Sequence, residues 1–276
     1  MDRLWLWILI ALVALVVLVA VGFRIRPRSF PAYPGEPGPI EYIPMPEGLP
    51  APVARFYRAV YGEEVESRGV PVITSAVITG RAGLRIGPVT MPGRFRFTHV
   101  AGQDYRHYIE TTFFGIPIFK VNETYIDGRG RQEIPFGVVD NDPRANQAAA
   151  LGLWAETGWF PAVFITDERV RWSPLDDHSA VLAVPYEEGE EIFIARFDPA
   201  TGLLLFFEAM RYRETDSERK VLWITEAVSW GEVNGHLTMV GATVTWLDQG
   251  RPWAVFHTEE LVINADVAAY VRGRGL

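Results

Sequence analysis

The sequence predicts a mainly β protein, in which an N-terminal transmembrane helix precedes a curved antiparallel sheet or half-barrel with a helical plug. Three observations lead to this fold class. Residues 4–23 carry no charged side chain. From Val70 onward, apolar and polar residues alternate with period two, which is typical of half-buried strands. One alanine-rich segment, residues 145–156, interrupts the strands.

The composition excludes several classes of protein. The chain has 276 residues, no cysteine, 49% hydrophobic residues and a formal net charge of −8. It is too apolar for a disordered chain, and it has no thiol for a disulfide, a metal site or a lipid anchor. The first 30 residues hold four arginines and one aspartate, so the remainder has 22 basic and 33 acidic residues, a net charge of −11. Because this charge repels phosphate backbones, we predict no nucleic-acid partner.

Residues 1–30 form the predicted transmembrane anchor, through which the protein would contact the membrane. Twenty apolar residues in a helix span about 30 Å, the thickness of the hydrocarbon core of a bilayer. Trp5 and Trp7 lie at one end, where indole rings prefer the membrane interface, and Pro27 ends the other. The alternative is a cleaved signal peptide with Ala20-Val21-Gly22 at the cleavage site.

Two arguments about the orientation of the anchor conflict. Arg24, Arg26 and Arg28 follow the apolar segment and only Arg3 precedes it, a bias that favours a cytoplasmic domain. The family resemblance described below points to the other side of the membrane. We favour a single-pass protein of the cell membrane with an extracytoplasmic domain.

The region after the anchor begins with a linker. Residues 31–49 are rich in proline and glycine, so they predict a semi-rigid, extended stalk. A strap that lies across the domain surface is an equally good interpretation. Residues 50–276 are predicted to form a single antiparallel β domain. Its first element is a helix at about 50–61, which has proline in its first turn and ends at Gly62.

The predicted strands are separated by glycine, proline and aspartate turns. Turns at 127–130, 198–202 and 248–251 indicate hairpins. The strands are predicted at about 71–79, 83–90, 94–100, 105–113, 116–126, 162–165, 170–174, 179–185, 191–198, 203–213, 220–232, 236–247 and 253–264.

A second helix, at about 143–157, is the predicted plug. Asp142 can cap its first turn, Pro143 suits its first position and Gly158 ends it. Its alanines would allow the helix to approach the sheet closely. The pattern therefore predicts one helix packed inside a curved sheet.

Sequence motifs for known chemistry are absent. There is no phosphate-binding glycine loop, zinc-protease motif or nucleophile elbow, and we predict no cofactor. No two of the five histidines are two, three or four residues apart, so only strands from distant parts of the sequence can bring them together. We therefore predict no metal site. The histidines are His99, His107, His178, His236 and His257.

Asp176-Asp177-His178 is the most suggestive polar cluster. One interpretation is a catalytic group, in which a carboxylate orients the histidine or two carboxylates divide acid and base roles. The other is a loop between two strands, in which aspartate supplies turn hydrogen bonds. The second interpretation is favoured, so no catalytic residue is predicted outside this alternative.

Aromatic residues are concentrated around the helix at 143–157 and after it. They predict either a hydrophobic core or an apolar pocket between helix and sheet. In the second case a lipid or another apolar small molecule would be the ligand. The candidate ligand-binding residues are Trp154, Glu156, Trp159, Phe160 and Trp172, with Glu156 near the mouth of the pocket.

Several segments resemble, in the same order, a group of uncharacterised bacterial proteins that share a domain of unknown function. They are residues 49–55, 158–162, 170–172, 176–180 and 197–202. The resemblance implies a bacterial source and no particular activity. The arrangement of sheet and helix is also similar to that of periplasmic lipoprotein carriers, whose half-barrel wraps a helical plug around a lipid-binding cavity. No motif of the carriers is matched, so no functional residue is transferred.

Three functional hypotheses follow. The leading one is a membrane-anchored, non-enzymatic domain that binds an apolar ligand or lipid between sheet and helix. The second is a hydrolase or isomerase that uses Asp176, Asp177 and His178. The third is a structural or interaction domain of the cell envelope, whose partner would meet an exposed sheet edge.

Overall fold

A single sheet of thirteen antiparallel strands, curved around one helix, forms the body of the molecule. The computed structural model describes residues 2–276. The helices are α1 (Asp2–Gly22), α2 (Ala51–Tyr61), α3 (Val65–Arg68), α4 (Pro143–Glu156), α5 (Val163–Thr166) and α6 (Ala268–Val271). The strands are β1 (Glu41–Ile43), β2 (Val70–Val72), β3 (Ser75–Ile86), β4 (Val89–Val100), β5 (Asp104–Phe113), β6 (Ile116–Ile126), β7 (Arg129–Ile134), β8 (Gly137–Asp140), β9 (Arg171–Asp176), β10 (Ser179–Tyr186), β11 (Gly189–Phe197), β12 (Leu204–Arg211), β13 (Val221–Val233), β14 (His236–Trp246) and β15 (Pro252–Ile263).

The strand order explains how one helix comes to lie inside the sheet. The order is β8-β7-β6-β5-β4-β3-β15-β14-β13-β12-β11-β10-β9, so two meanders join where β3 pairs with β15. In the chain, α4 and α5 lie between the two edge strands β8 and β9. The connection between the meanders therefore supplies the plug. Helix α4 contacts β6 and β7 of one meander and β10 and β12 of the other. The predicted fold class, an antiparallel sheet with a helical plug, is confirmed.

Local signals set the start of α4. The Asp142 carboxylate accepts hydrogen bonds from the backbone N–H groups of Arg144 (2.9 Å) and Ala145 (3.1 Å), which would otherwise have no partner at the helix start. Small side chains then let the helix approach the sheet, with Ala149 packed against Gly130 of β7. The buried residues of α4 are Asn146, Gln147, Ala149, Ala150, Leu151, Gly152, Leu153, Trp154 and Ala155.

Three local predictions are wrong. The strand predicted at 83–90 contains the turn between β3, which ends at Ile86, and β4, which begins at Val89. The predicted break between 79 and 83 is absent, because β3 runs without interruption to a turn at Gly87 (φ 60°). Gly80 lies inside β3 because a Cβ there would overlap the His257 carbonyl, so the glycine permits a close backbone approach and not a turn. Residues 162–165, predicted as a strand, belong to the helical turn α5, since the N–H groups of Phe164 and Ile165 bond back to residues 161 and 162.

The segment after α1 lies across the outer face of the sheet. Phe30 is buried against Tyr108, with 5.6 Å between the ring centroids, and the Arg94 guanidinium lies 4.4 Å from the Phe30 ring. The backbone N–H of Tyr33 donates to the Glu260 carboxylate at 3.1 Å. Further along, β1 pairs with β2. Phe30, Tyr33 and the residues of β1 therefore lie against the domain.

Candidate functional site: a buried histidine–carboxylate cluster

Two histidines and two glutamates meet beneath the plug. In the β4–β5 hairpin, His99 pairs with Tyr105 and Phe97 pairs with His107, so both histidines point to the same face of the sheet. On the other side of β5, His107 pairs with Glu123 of the neighbouring strand β6. Because α4 crosses this face, Glu156 at its last position completes the cluster.

The shortest contacts centre on one carboxylate oxygen. Oε2 of Glu156 lies 2.7 Å from His107 Nε2 and 3.0 Å from His99 Nε2. His99 is fully buried, and neither of its ring nitrogens has a correctly directed hydrogen bond to any of the residues 2–276. The Glu156 side chain keeps 16% of its exposure. The two histidines are therefore buried, and the cluster reaches solvent beside its carboxylates, Glu156 on one side and Glu123, 20% exposed, on the other.

A second carboxylate, that of Glu123, lies on the side of the His107 ring that Glu156 does not contact. Oε2 of Glu123 lies 3.9 Å from His107 Nδ1, and Oε1 of Glu123 accepts a 2.6 Å hydrogen bond from the Tyr105 hydroxyl. The Tyr105 ring stacks on the His107 ring, with 4.0 Å between centroids. The Arg211 guanidinium lies 4.3 Å from the Trp223 ring, and its positive charge interacts with the Glu123 carboxylate. These contacts fix the orientation of the His107 imidazole.

Burial and neighbouring charges shift the pKa values of these groups in opposite directions. Burial by itself lowers the pKa of His107, but the Glu156 and Glu123 carboxylates outweigh it and raise the pKa to about 9. For His99 burial prevails over Glu156, and its pKa is lowered. Burial would raise the pKa of Glu123, yet the hydrogen bond and charge of His107 bring it down to about 2. One protonated and one neutral histidine therefore share the Glu156 carboxylate, whose own pKa is lowered.

The sequence indicates half of this cluster, namely its two histidines. The hairpin turn at 101–103 places His99 and His107 on neighbouring strands and on the same face, although they are eight positions apart in the chain. Spacing along a single strand does not reveal this. Glu156 had been identified as a candidate ligand-binding residue, but its pairing with the histidines depends on where α4 crosses the sheet, which no local pattern indicates.

The five residues predicted to line a pocket do not share one cavity. Trp154 packs in the core against Phe164, and Glu156 belongs to the histidine cluster. Trp172 is half-buried and donates a hydrogen bond to the Phe164 carbonyl. Trp159 and Phe160 are buried and line a cavity on the far side of the plug.

That cavity, which we call the α2 cavity, has a volume of about 280 Å³. It lies between α2, α3, the end of β15 and the segment that follows α4. Hydrogen bonds hold α2 to this segment: the Tyr57 hydroxyl donates to the Pro161 carbonyl (2.8 Å), and the Tyr61 hydroxyl accepts from the Ala162 N–H (3.0 Å). The buried apolar residues in its wall are Val60, Val65, Ile73, Trp159, Phe160, Leu261 and Ile263.

The space directly between α4 and the sheet is almost filled. A narrow cleft of about 40 Å³ remains beside Glu156, between Trp159 and the inner face of β12 to β14. Leu204, Phe207 and Met239 line it. The cleft is large enough for one or two water molecules, so it gives small molecules access to Glu156 but does not accommodate a lipid chain.

The acidic cluster at residues 176–178 lies elsewhere. Asp176, Asp177 and His178 are all exposed in the turn between β9 and β10. The Asp176 carboxylate accepts a hydrogen bond from the His178 backbone N–H at 2.8 Å, and this bond lowers the Asp176 pKa. These are turn contacts, and the three side chains do not form the cleft that an active site requires.

Three solved structures resemble the fold at low sequence identity. A DUF1329 family protein from Desulfovibrio piger has 13% identity and a TM-score of 0.43, over 80% of this chain and 95% of that one. A putative outer membrane lipoprotein-sorting protein domain from Vibrio parahaemolyticus has 12% identity and a TM-score of 0.41, over 77% and 88%. A LolA superfamily protein from Nitrosomonas europaea has 8% identity and a TM-score of 0.40, over 68% and 84%.

Sequence comparison assigns the family. No curated protein sequence matches the chain. The profile of DUF6544, a family of unknown function, matches residues 39–258, so it spans most of the sheet, the plug and the histidine–carboxylate cluster. The chain therefore belongs to the DUF6544 family.

Proposed function

We propose that this protein is a membrane-tethered binding domain that holds the apolar chain of a lipid or similar amphiphile in the α2 cavity. The observation that carries the proposal is the cavity itself, which is about 280 Å³ in volume and combines a wall of buried aliphatic and aromatic side chains with polar groups of Tyr42, Tyr61, Arg68 and His236. Apolar pockets of about 300 Å³ or more are the usual sites of small-molecule binding. The cavity is close to this limit, so it fits one alkyl chain and not a whole phospholipid.

The rim of the α2 cavity indicates an anionic head group. Arg68 lies at the rim, where its guanidinium stacks on Tyr42 at 4.3 Å and donates to the Tyr42 hydroxyl at 2.5 Å. Its partner Glu64 is exposed and 3.7 Å away, a weak pairing that leaves the cation available. His236, also at the rim, has its pKa lowered by burial and is neutral at pH 7. Arg68 is thus the positive group nearest to the cavity mouth on this side.

Helix α1 is the proposed anchor. An 18-residue window within residues 3–22 has a mean hydropathy of 3.1, and none of that window is buried against the domain. Its end meets the β5–β6 hairpin, where the Phe114 N–H donates to the Gly22 carbonyl at 2.9 Å and Phe23 packs on Phe113. The same end of the sheet exposes apolar side chains beside this junction. They are Ile116, Ile118, Ile134, Phe136 and Val138.

The first test of the proposal fills the α2 cavity. We expect Ile73→Trp to weaken binding of dansylated undecanoic acid about tenfold or more, because the indole would occupy the space of the alkyl chain. The measurement is fluorescence titration of the full-length chain in detergent. Ile86→Trp is the matched control, since Ile86 is 48% exposed at the β3–β4 turn and far from the cavity. Equal affinity of the two folded variants would contradict the proposal.

The rim residue gives a second readout within the same titration. Arg68→Glu should weaken binding of the acid about fivefold, an effect of roughly 1 kcal/mol expected from an exposed charge. The methyl ester of the same probe should be unaffected. A loss of affinity for both probes would indicate damage to the cavity and would count against a head-group role for Arg68.

The anchor predicts a defined topology. We expect the full-length chain to stay in membranes after alkaline carbonate washing and to be degraded by trypsin added to spheroplasts. In inverted membrane vesicles the domain should be protected, because it would lie in the lumen. Release by carbonate would remove the anchor from the proposal, and protection in spheroplasts would place the domain in the cytoplasm.

A further inference from the structure

The histidine–carboxylate cluster has the donor set of a metal centre. His99 Nε2, His107 Nε2 and Glu156 Oε2 lie within 4.8 Å of one another. Two imidazoles and one carboxylate are a common ligand set for zinc and for non-haem iron(II). We propose that these three side chains bind a divalent transition-metal ion of this class.

The unsatisfied histidine is independent support for this site. His99 has no exposed surface, yet its Nδ1 has no partner in the described part of the chain, and its Nε2 lies 3.0 Å from Glu156 Oε2 without a correctly directed hydrogen bond. A buried polar group without a well-formed hydrogen bond is costly, and native proteins rarely keep one. Because Nε2 of His99 points into the cluster, 3.0 Å from Oε2 of Glu156, a metal ion there would satisfy it.

The geometry is close to what a metal ion requires. Metal–ligand bonds of about 2.0–2.1 Å in tetrahedral geometry separate neighbouring ligand atoms by about 3.3 Å. The observed contacts of 2.7 and 3.0 Å are slightly shorter, so the cluster has to open by about half an ångström. Two of the ligands lie on paired strands, and the third is the last residue of α4, where a small adjustment is possible.

The residues around the three proposed ligands also suit a metal site. Behind His107, the Glu123 carboxylate approaches Nδ1, which is the position of the carboxylate that usually orients a metal-bound imidazole. Tyr105 in turn donates to Glu123. On the side of Glu156, the cleft is lined mainly by apolar residues such as Leu204 and Phe207, together with the polar side chains of Thr225, Glu226 and Thr243. A bound ion would therefore have one coordination position open towards this cleft.

Metal titration of the full-length chain tests the proposal. The protein is prepared without a histidine tag, treated with a chelator and titrated with Zn²⁺ in a calorimeter, and Co²⁺ is followed by absorption spectroscopy. We expect one ion per chain. His99→Gln and His107→Gln should each weaken the affinity by about 100-fold or more, since losing a ligand exceeds the 10–100-fold effect of losing an outer partner. His178→Gln and His257→Gln are matched controls, because both histidines are exposed and outside the cluster.

X-ray absorption of the wild-type zinc complex keeps the test independent of whether the variants fold. The proposal expects two imidazoles and at least one oxygen in the first coordination shell. Three results would overturn it: no binding at micromolar Zn²⁺, a control variant that loses as much affinity as His99→Gln, or a coordination shell without imidazole. The α2 cavity contains none of the three ligands, so this test and the alkyl-chain titration can fail separately.

Discussion

Metal-free protein is expected to lose about 3 kcal/mol of its free energy of unfolding between pH 6.5 and pH 9. The cause is His107, whose pKa is about 9 in the folded chain and about 6.5 in a model peptide. Across this interval the folded state retains a proton that the unfolded chain has released, so rising pH favours unfolding. The stabilisation is complete below pH 6.5 and is lost as pH approaches the folded pKa.

At acidic pH the free energy of unfolding falls for the opposite reason, because the groups concerned have pKa values that folding lowers. The pKa values of Glu123 and Glu156 are lowered in the folded chain, so their contribution is present above the unfolded carboxyl pKa and is lost as pH falls below it. His99, whose pKa is lowered, also loses its contribution as pH falls below 6.5. The stability of the cluster should therefore be greatest near pH 6.5.

Urea titrations at a series of pH values, followed by tryptophan fluorescence after chelator treatment, measure this profile. His107→Gln should abolish the fall between pH 6.5 and 9, even if it lowers the overall stability. His178→Gln should keep the fall, because His178 is exposed in a turn. A profile that is flat in the wild-type chain, or equally steep in His107→Gln, would contradict the assignment of the proton to His107.

A second large effect is expected from Trp159→Ala, which should lower the free energy of unfolding by about 3–5 kcal/mol. The Trp159 side chain is 4% exposed and connects the end of the plug to the sheet. Its indole N–H donates to the Met239 carbonyl (2.9 Å) and the Thr258 hydroxyl (2.8 Å). Its own carbonyl accepts from the Thr238 hydroxyl at 2.7 Å. Removing the ring leaves a cavity and two buried acceptors without their donor.

Two variants separate these contributions. Trp159→Phe keeps an aromatic ring but loses the indole N–H, so it should cost about 1–3 kcal/mol from the unpaired buried groups. Leu175→Ala is the control for a large apolar side chain that is exposed on the edge strand β9, and it should change stability by less than about 0.5 kcal/mol. A loss for Trp159→Ala as small as that for Leu175→Ala would mean that the plug does not depend on this attachment.

Local chemistry in the sequence predicted most of the secondary structure. The Asp142 cap located the start of α4, and the turn at 127–130 located the β6–β7 hairpin, where Asp127 and Gly128 both have positive φ. The errors came from residues whose role is tertiary. Gly80 resembles a turn residue until His257 is placed beside it, and the short apolar run at 162–165 fits a strand or a helical turn equally well.

The candidate sites were harder to predict, for a physical reason. A ligand cluster depends on strand register and on where a helix crosses the sheet, and neither is encoded within a few residues. The β4–β5 hairpin made the pairing of His99 and His107 accessible from the sequence, whereas Glu156 required the position of α4. Similarly, Trp159 and Phe160 are predicted wall residues, but the cavity that they share is bounded by α2, and only Trp159 also lines the narrow cleft beside Glu156 of α4.

Native mass spectrometry of the full-length chain, purified from its membranes in mild detergent, tests the central proposal most directly. An alkyl chain held in the α2 cavity should appear as one bound amphiphile per protein, and it should be absent from Ile73→Trp but present in Ile86→Trp. A wild-type chain that carries no such species and takes up none when single-chain amphiphiles are added would contradict the proposal.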